Sequence, residues 1–531
     1  MGDAVRLNGR ALARSIVGIV SVGVLTAAVA TPGWAGEPSA ASTSRKAVPP
    51  PAPAVVHGAP ADKSVVLWWV PPRTAVSRPI TDYVIQSSSN GGRSWKRVKD
   101  AVSAEPTVTV TGLRNGSDYR FRVAAVAGKR KSHYSPAGSR VTPRPVDCAR
   151  PGPRMNLAGC DLQGLTGVDL SGSNLSSTFL YGAVPTRLVG SYLEKARVGY
   201  TDLRDLNMQG SNLSRSVFSG TELIGANLRG ISAREAYLDV TVDGTILSDA
   251  DLTGTGFRFQ GVGVRFNRSV LKGCFFGNDS NAGLGGADFT DADLRDCNFG
   301  SVVLDRGRDV PYSIRLTRAD LSGADFSSAK TRYLDLEGAD LSRADLTHLW
   351  SFGGDIGRPT ALPPAWQARS GFLLGPGVFM RGDASGADLR GVDLTGADFG
   401  FKSIASSGSV NLSGTDLSGA NLSRAVGEVV PLDGAKLIGT NLGEASFSES
   451  TLKDVDASGA NLAGASLYLS DLSRSNFAGA DLTEAGLQSV ELEDADLRTA
   501  TLTGIRSSEL TGVPLLPAGW AVVDGSLVRR G

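Results

Sequence analysis

The sequence predicts an all-β chain, a small antiparallel sandwich followed by a long coil that turns a corner every few residues. Two observations carry that reading. Residues 54–144 alternate in hydrophobicity with a period of two, broken by Asn-Gly turns, and residues beyond about 146 repeat a five-residue frame. The composition suits both. With 531 residues, 41% hydrophobic, 20% charged, 66 Gly, 4 Cys and a net charge of +1, the chain is neither disordered, nor a disulfide-dense miniprotein, nor a strongly basic nucleic-acid binder.

The amino terminus reads as an export signal over residues 1–35. Arg6, Arg10 and Arg14 precede an apolar run from Ile16 to Ala30, and Ala28/Ala30 or Gly33/Ala35 offer cleavage sites. That run is shorter than the roughly 20 residues needed to span a bilayer, so no stable membrane insertion is expected once the signal is removed. Residues 36–53 are rich in Ala, Ser and Pro, including Pro49 to Pro51, and read as a linker.

From 54 to 144 the pattern is that of strands. Val65, Leu67 and Trp69 alternate with Val66 and Trp68; Tyr83 and Ile85, Val108 and Val110, and Tyr119, Phe121, Val123 and Ala125 continue the alternation, with turns at Asn90-Gly91-Gly92 and Asn115-Gly116. About 90 residues of short antiparallel strands imply two facing sheets. The run Trp69-Val70-Pro71-Pro72, Tyr83, Gly91-Gly92 with Trp95, and Leu113 through Val123 resembles the fibronectin type III family, in which Tyr119 would form the tyrosine corner. That resemblance implies a spacer or adhesion scaffold and no chemistry. The loop Gly128-Lys129-Arg130-Lys131 stands where some family members carry an adhesion tripeptide. Here the three cations Lys129, Arg130 and Lys131 are either a contact for an acidic polymer or solvated charge. If Trp69 faces the core, Trp68 faces outward, available to a sugar ring or partner unless the linker covers it.

Beyond 146 the frame is Ala460-Asn461-Leu462-Ala463-Gly464, Ser475-Asn476-Phe477-Ala478-Gly479, Ala480-Asp481-Leu482-Thr483-Glu484, and it holds phase from Val410 to Gly504. A period of five fits neither a helix nor a flat strand, because either would expose most of the leucines. A coil that bends every five residues buries the first and third residue of each unit and leaves the second outside, with successive turns about 4.8 Å apart. The frame resembles the pentapeptide-repeat family, which implies a right-handed four-sided β-helix with roughly 20 residues per turn. Roughly 14 to 17 turns would then give a rod on the order of 70 to 80 Å long.

Two segments leave the frame and resemble each other: Leu362-Pro363-Pro364-Ala365-Trp366 and Leu516-Pro517-Ala518-Gly519-Trp520. Each reads as a hairpin. The second is expected to cover the open end of the solenoid, and the first to mark a seam between modules at 146–378 and 379–531. Cys160, Cys274 and Cys297 occupy inward small positions. One turn of separation would bring Cys274 to Cys297, and Cys148 to Cys160 would clip the first turn; buried free thiols are the alternative.

No catalytic, cofactor-binding or metal site is expected. His57, His133 and His348 are scattered, no phosphate loop precedes a helix, and the repeated Asp should face water in ladders. Arg381-Gly382-Asp383 matches an integrin-type tripeptide, a match that arises readily by chance. Charge divides unevenly: about +11 over residues 36–145 and about −12 over 146–531. Together these features predict a non-enzymatic, secreted or cell-surface, bacterial rod that binds extracellular protein or polysaccharide, with no cofactor. Two rivals remain open. One is a secreted carbohydrate-active enzyme with a site on the irregular stretches 257–286 or 350–385. The other is a DNA mimic acting on gyrase, which some pentapeptide-repeat proteins exemplify; the export signal opposes that reading, and nucleic acid is not an expected partner.

Overall fold

A computed structural model describes residues 49–72, 79–277, 284–300, 314–331, 334–400 and 409–530. The predicted export signal and most of the linker lie outside them. The described chain is all-β.

The sandwich has seven strands: β1 (Val56–Ala61), β2 (Ser64–Trp69), β3 (Asp82–Ser88), β4 (Lys96–Arg97), β5 (Thr107–Val110), β6 (Arg120–Ala127) and β7 (Arg130–Lys131). They form an antiparallel sheet β1-β2-β5 and a second, β4-β3-β6-β7. Alternation puts Val65, Leu67, Trp69, Tyr83, Ile85, Phe121 and Val123 in the space between the sheets, where the Trp69 and Tyr83 rings meet edge-on at 4.8 Å. The Tyr119 hydroxyl accepts the Arg114 backbone N–H at 3.2 Å, closing the corner expected of it.

The rod follows the five-residue rule. Ala460, Leu462, Ala480, Leu482, Ala495 and Leu497 are all at most 1% exposed, while Asn461 between them stands in water. The first residue is small because it sits at a corner of the coil, and the third fills the middle. Successive turns pair in parallel, as along Val426, Ser446, Ser466, Gly486 and Arg506. The second residue does more than face solvent. Its side-chain oxygen accepts the N–H two residues on, as Asp481 does from Thr483 at 2.9 Å and Asn461 from Ala463 at 3.0 Å, so each outward Asp or Asn closes its own corner. Neighbouring turns add an amide ladder: Asn461 donates to Asn441 at 2.9 Å and Asn441 to Asn421 at 3.0 Å.

In the first part of the rod six strands share one side: β8 (Phe179–Tyr181), β9 (Arg197–Gly199), β10 (Val217–Glu222), β11 (Tyr237–Thr241), β12 (Gly256–Gln260) and β13 (Phe275–Phe276). Of the stretch 257–286 considered for an enzymatic cleft, the described part to 277 continues the coil. Phe257, Phe266 and Phe276 fill its interior, and the stack extends through Phe299 and Phe326 with centroid spacings of 4.7–4.9 Å along Phe257, Phe276, Phe299 and Phe326.

The stretch 350–385 is occupied by a hairpin. Gln367–Arg369 pairs with Phe372–Leu374, and the Trp366 ring lies over Gly375, where a Cβ would come within 2.2 Å of it. The apolar interior divides there, one set of side chains ending at Ile356 and Leu373 and the next beginning at Phe372. Backbone pairing on one side nevertheless continues through it, Trp350 to Phe379 to Asp398. The seam therefore divides the core without dividing the ladder. Arg381 is buried beside it, 1% exposed, paired with Asp398 at 3.0 Å and lying over the Trp350 ring. A side chain so placed cannot present an Arg-Gly-Asp tripeptide. At the far end Trp520–Val523 and Ser526–Arg529 form the second hairpin, whose Leu527 is buried against the last apolar layers. In both hairpins the Trp N–H returns to the carbonyl three residues back, Trp366 to Pro363 and Trp520 to Pro517, each at 3.1 Å.

Candidate functional site

The described chain offers the flat sides of the rod and the junctions between its parts as surfaces. Three places qualify: the seat of the sandwich on the rod, the basic loop, and one side of the early rod.

Trp68 does face away from the sandwich core, as the alternation requires, but it is not available to a partner. It is 2% exposed because the rod covers it. Its ring lies 5.2 Å from Tyr192 and 5.6 Å from His57, and its Nε1 donates to the Gly210 carbonyl at 3.0 Å. Ala59 and Val66 complete the contact. Gly210 is required twice: its φ is +69°, and a Cβ would fall 2.2 Å from the His57 ring. Burial lowers the His57 imidazole to about 4, so it is neutral here. Burial likewise raises the Tyr192 hydroxyl, which donates to Glu194. Beside this contact Glu105 approaches Arg234 at 3.7 Å, and Arg234 also pairs with Asp251 at 3.2 Å. The sequence showed an outward Trp; it could not show that the covering surface was 142 residues away.

Lys129, Arg130 and Lys131 form the exposed hairpin of β6 and β7. Lys131 stands 4.6 Å over the Tyr134 ring, and Arg122 lies between Trp95 at 4.4 Å and Tyr134 at 4.7 Å. The cations are thus partly ordered by aromatic rings. The four cysteines are paired in the structure, Cys148 with Cys160 and Cys274 with Cys297, at Cα separations of 5.6 and 4.6 Å.

The third place escaped the sequence reading. Strands β8 to β13 put Phe179, Arg197, Val217, Tyr237, Gly256 and Phe275 in one outward column. Phe179, Tyr181, Tyr200, Tyr237 and Phe275 are 38–77% exposed. The tyrosines lie close over glycines of the next turn: Tyr181 over Gly199, Tyr200 over Gly220 and Tyr237 over Gly256, with ring atoms 2.5 to 3.3 Å from where a Cβ would stand. A side chain at those glycines would push the rings away, so this side carries rings laid down as a strip. Tyr237 and Phe275 are two turns apart, roughly 10 Å. Asp239 and Arg258, 3.6 Å apart, add polar groups on the same side. The available signal was an aromatic at an outward position followed one turn later by glycine, a pattern invisible until the turn length is known.

Among the described residues no group of three or more His, Cys, Asp and Glu side chains could hold a metal ion, and no helix is long and apolar enough to cross a membrane.

Comparison with known proteins agrees with this division. Residues 49–140 match the fibronectin type III domain family, and 187–237, 315–349, 409–427, 432–467 and 465–504 match pentapeptide repeats, eight copies in all. The chain is 34% identical over 113 residues to human Roundabout homolog 3, covering 19% of this chain and only 8% of that protein. Among solved structures it is similar to HetL, a pentapeptide repeat protein involved in heterocyst differentiation regulation from the cyanobacterium Nostoc sp. strain PCC 7120. That match has 22% identity, covers 61% of this chain and 90% of that one, and has a TM-score of 0.13. The twitchin kinase region of C. elegans matches 18% of this chain and 17% of its own at 28% identity, TM-score 0.17. The chain therefore carries a fibronectin type III domain at 49–140 and, after it, a β-solenoid of pentapeptide repeats.

Proposed function

We propose that this is a non-enzymatic, exported binding protein whose early rod engages polysaccharide through the aromatic strip, with the sandwich as a fixed brace. The strip is the observation that carries the reading. Flat, exposed rings at roughly 10 Å intervals on a rigid side suit stacking against the apolar faces of successive sugars, while Arg258 and Asp239 can meet hydroxyl groups. A rod whose core is filled turn by turn holds the backbone beneath the rings in place, which lowers the cost of ordering on binding. The amino-terminal charge and apolar pattern supports export to where such polymers lie.

Sedimentation with insoluble wall and plant polysaccharides tests the reading. The full chain should co-sediment with at least one, and the triple variant Tyr200→Ala, Tyr237→Ala, Phe275→Ala should bind at least about tenfold more weakly. A triple variant that binds as tightly as the parent would remove the strip from the account. Export is checked separately: protein from culture medium should begin after Ala30 or Ala35.

A further inference from the structure

A second surface lies where the rod and the sandwich fail to meet. Beside the Trp68 contact a cleft of about 830 Å³ opens between residues 54–60 and 136–144 on one side and the first turns of the rod on the other. That volume is within the range of pockets that hold small ligands. Its walls mix polar and apolar groups, and its charge is one-sided. Arg140, Arg144, Arg154 and Arg187 line it, against a single carboxylate, Asp169, which is already engaged by the Ser171 N–H at 2.8 Å.

The four guanidiniums differ in what holds them. Arg140 pairs with Asp118 at 3.1 Å, an exposed pair of small energetic weight. Arg144 reaches Met155 with one terminal nitrogen, while its Nε is buried with no hydrogen-bond partner. Arg154 and Arg187 come from turns of the rod that flank the turn of Asp169 and Gly172, and have no ion-pair partner among the described residues. Many of the rod's arginines are held by carboxylates, as Arg268 with Asp249, Arg318 with Asp291 and Arg474 with Asp454, whereas Arg154 and Arg187 line this cleft without one. A guanidinium presents a planar fork of donors that matches an oxyanion with several acceptor oxygens, and the cleft is lined by such side chains from the sandwich and from the rod.

We propose that this cleft binds a phosphate or sulfate ester group carried by a polymer, held by Arg154 and Arg187 from the rod and Arg144 from the sandwich end. The site needs both domains in their docked arrangement, so it reads their junction. It is independent of the aromatic strip, which lies two sides further round the coil: the columns step from Asp169 and Arg187, through Asn174 and Tyr192, to Phe179 and Arg197.

Titration of the full chain with short dextran sulfate, with inorganic polyphosphate and with neutral dextran of the same length provides the test, by fluorescence or calorimetry at fixed ionic strength. One or both anionic polymers should bind and neutral dextran should not, and which of the two binds more tightly identifies the ester. The variants Arg154→Ala and Arg187→Ala should each weaken binding about tenfold. Arg187→Lys, which keeps charge and loses the fork, should fall between. The control Arg424→Ala, an exposed cation in the later rod, should leave affinity unchanged, and so should the aromatic triple variant. Equal losses in Arg424→Ala and Arg187→Ala, or no binding of either anionic polymer, would overturn the proposal. Loss on the aromatic variant alone would return the anion to the strip.

Discussion

Two stretches of one rod obey the same five-residue rule with different strictness. From Asp416 to Thr511 every column steps by 20 residues, as in Asn421, Asn441, Asn461, Asp481 and Thr501. From Asn156 to Asp340 the column reads Asn156, Asn174, Tyr192, Asn212, Ser232, Asp251, Val270, Asp293, Asp320 and Asp340, with steps between 18 and 27. The irregular stretch holds the sandwich contact, the aromatic strip and the Cys274–Cys297 pair; in the regular one, Tyr468 is the lone exposed ring among the described residues. Perfect repetition is what a coil needs to stand up. Departure from it is where this molecule makes surfaces, because an inserted or missing residue changes which side chain a side presents.

The two stretches meet at the seam, and the sharpest way to break the comparison is to cut there. Asp398 accepts from the buried Arg381 at 3.0 Å and also caps the Gly400 N–H at 2.7 Å. Asp398→Asn leaves a guanidinium buried without its counter-charge, expected to cost about 3–5 kcal/mol. Solenoid stability is a sum of local and nearest-neighbour contributions, so the loss should fall on the coupling between the halves. Denaturant unfolding of the variant should show two transitions where the parent shows one. A single transition shifted bodily to lower denaturant would mean that the continuous Trp350–Phe379–Asp398 ladder couples the halves by itself.

Core deletions ask whether irregularity also weakens the interior. Phe266 is sandwiched in the aromatic stack, 4.6 Å from Phe289, whereas Leu462 sits in a repeated Leu layer. Phe266→Ala should cost about 3–5 kcal/mol and Leu462→Ala about 2–4, each measured as a shift in the denaturation midpoint. If Leu462→Ala proves the costlier, the regular half is the more tightly packed and the stack only fills space.

What was legible follows the same division. Wherever the frame stayed in phase, the identity of a residue fixed its direction, so Leu462 inside and Asn461 outside could be read from the sequence, and so could the two Trp hairpins, because Leu362 and Leu516 repeat one motif. Direction in the sandwich was legible too: Trp69 in, Trp68 out. What lay against an outward residue was not. Trp68 meets Tyr192 and Gly210, and the strip of Tyr181, Tyr200 and Tyr237 depends on glycines one turn away, contacts set by turn lengths of 18 to 20 residues that the irregular frame hides. The outward Asp was read as a solvated charge, yet a carboxylate two residues before an N–H at a tight corner is also a local cap, a role visible in the spacing alone.

That role gives the rod an acid limit. Hydrogen bonds from the Thr483 hydroxyl and N–H hold the Asp481 carboxyl below its ordinary range, the Ser418 hydroxyl does so for Asp416, and the Arg498 guanidinium for Asp496. A depressed folded pKa means the unfolded chain takes up protons first, so this stabilisation is full above about pH 4 and is lost as pH falls further. Thermal midpoints should be flat near neutrality and decline below about pH 4. The regular half, with Asn at several of these corners, should decline less than an otherwise identical rod carrying Asn441→Asp and Asn461→Asp.

The smallest effect separates the amide ladder from the caps. Asn441 caps Gly443 at 3.1 Å, accepts from Asn461 and donates to Asn421, whereas an Asp there could keep the cap and the acceptance but not the donation. Asn441→Ala removes all three and should cost about 1 kcal/mol, with Asn441→Asp costing roughly half as much near neutral pH. If the two substitutions cost the same, the ladder carries the energy and the cap adds little. If Asp is neutral, the cap carries it, and the column of amides in the regular half is a by-product of repetition, since Asp and Asn would then close the corner equally well.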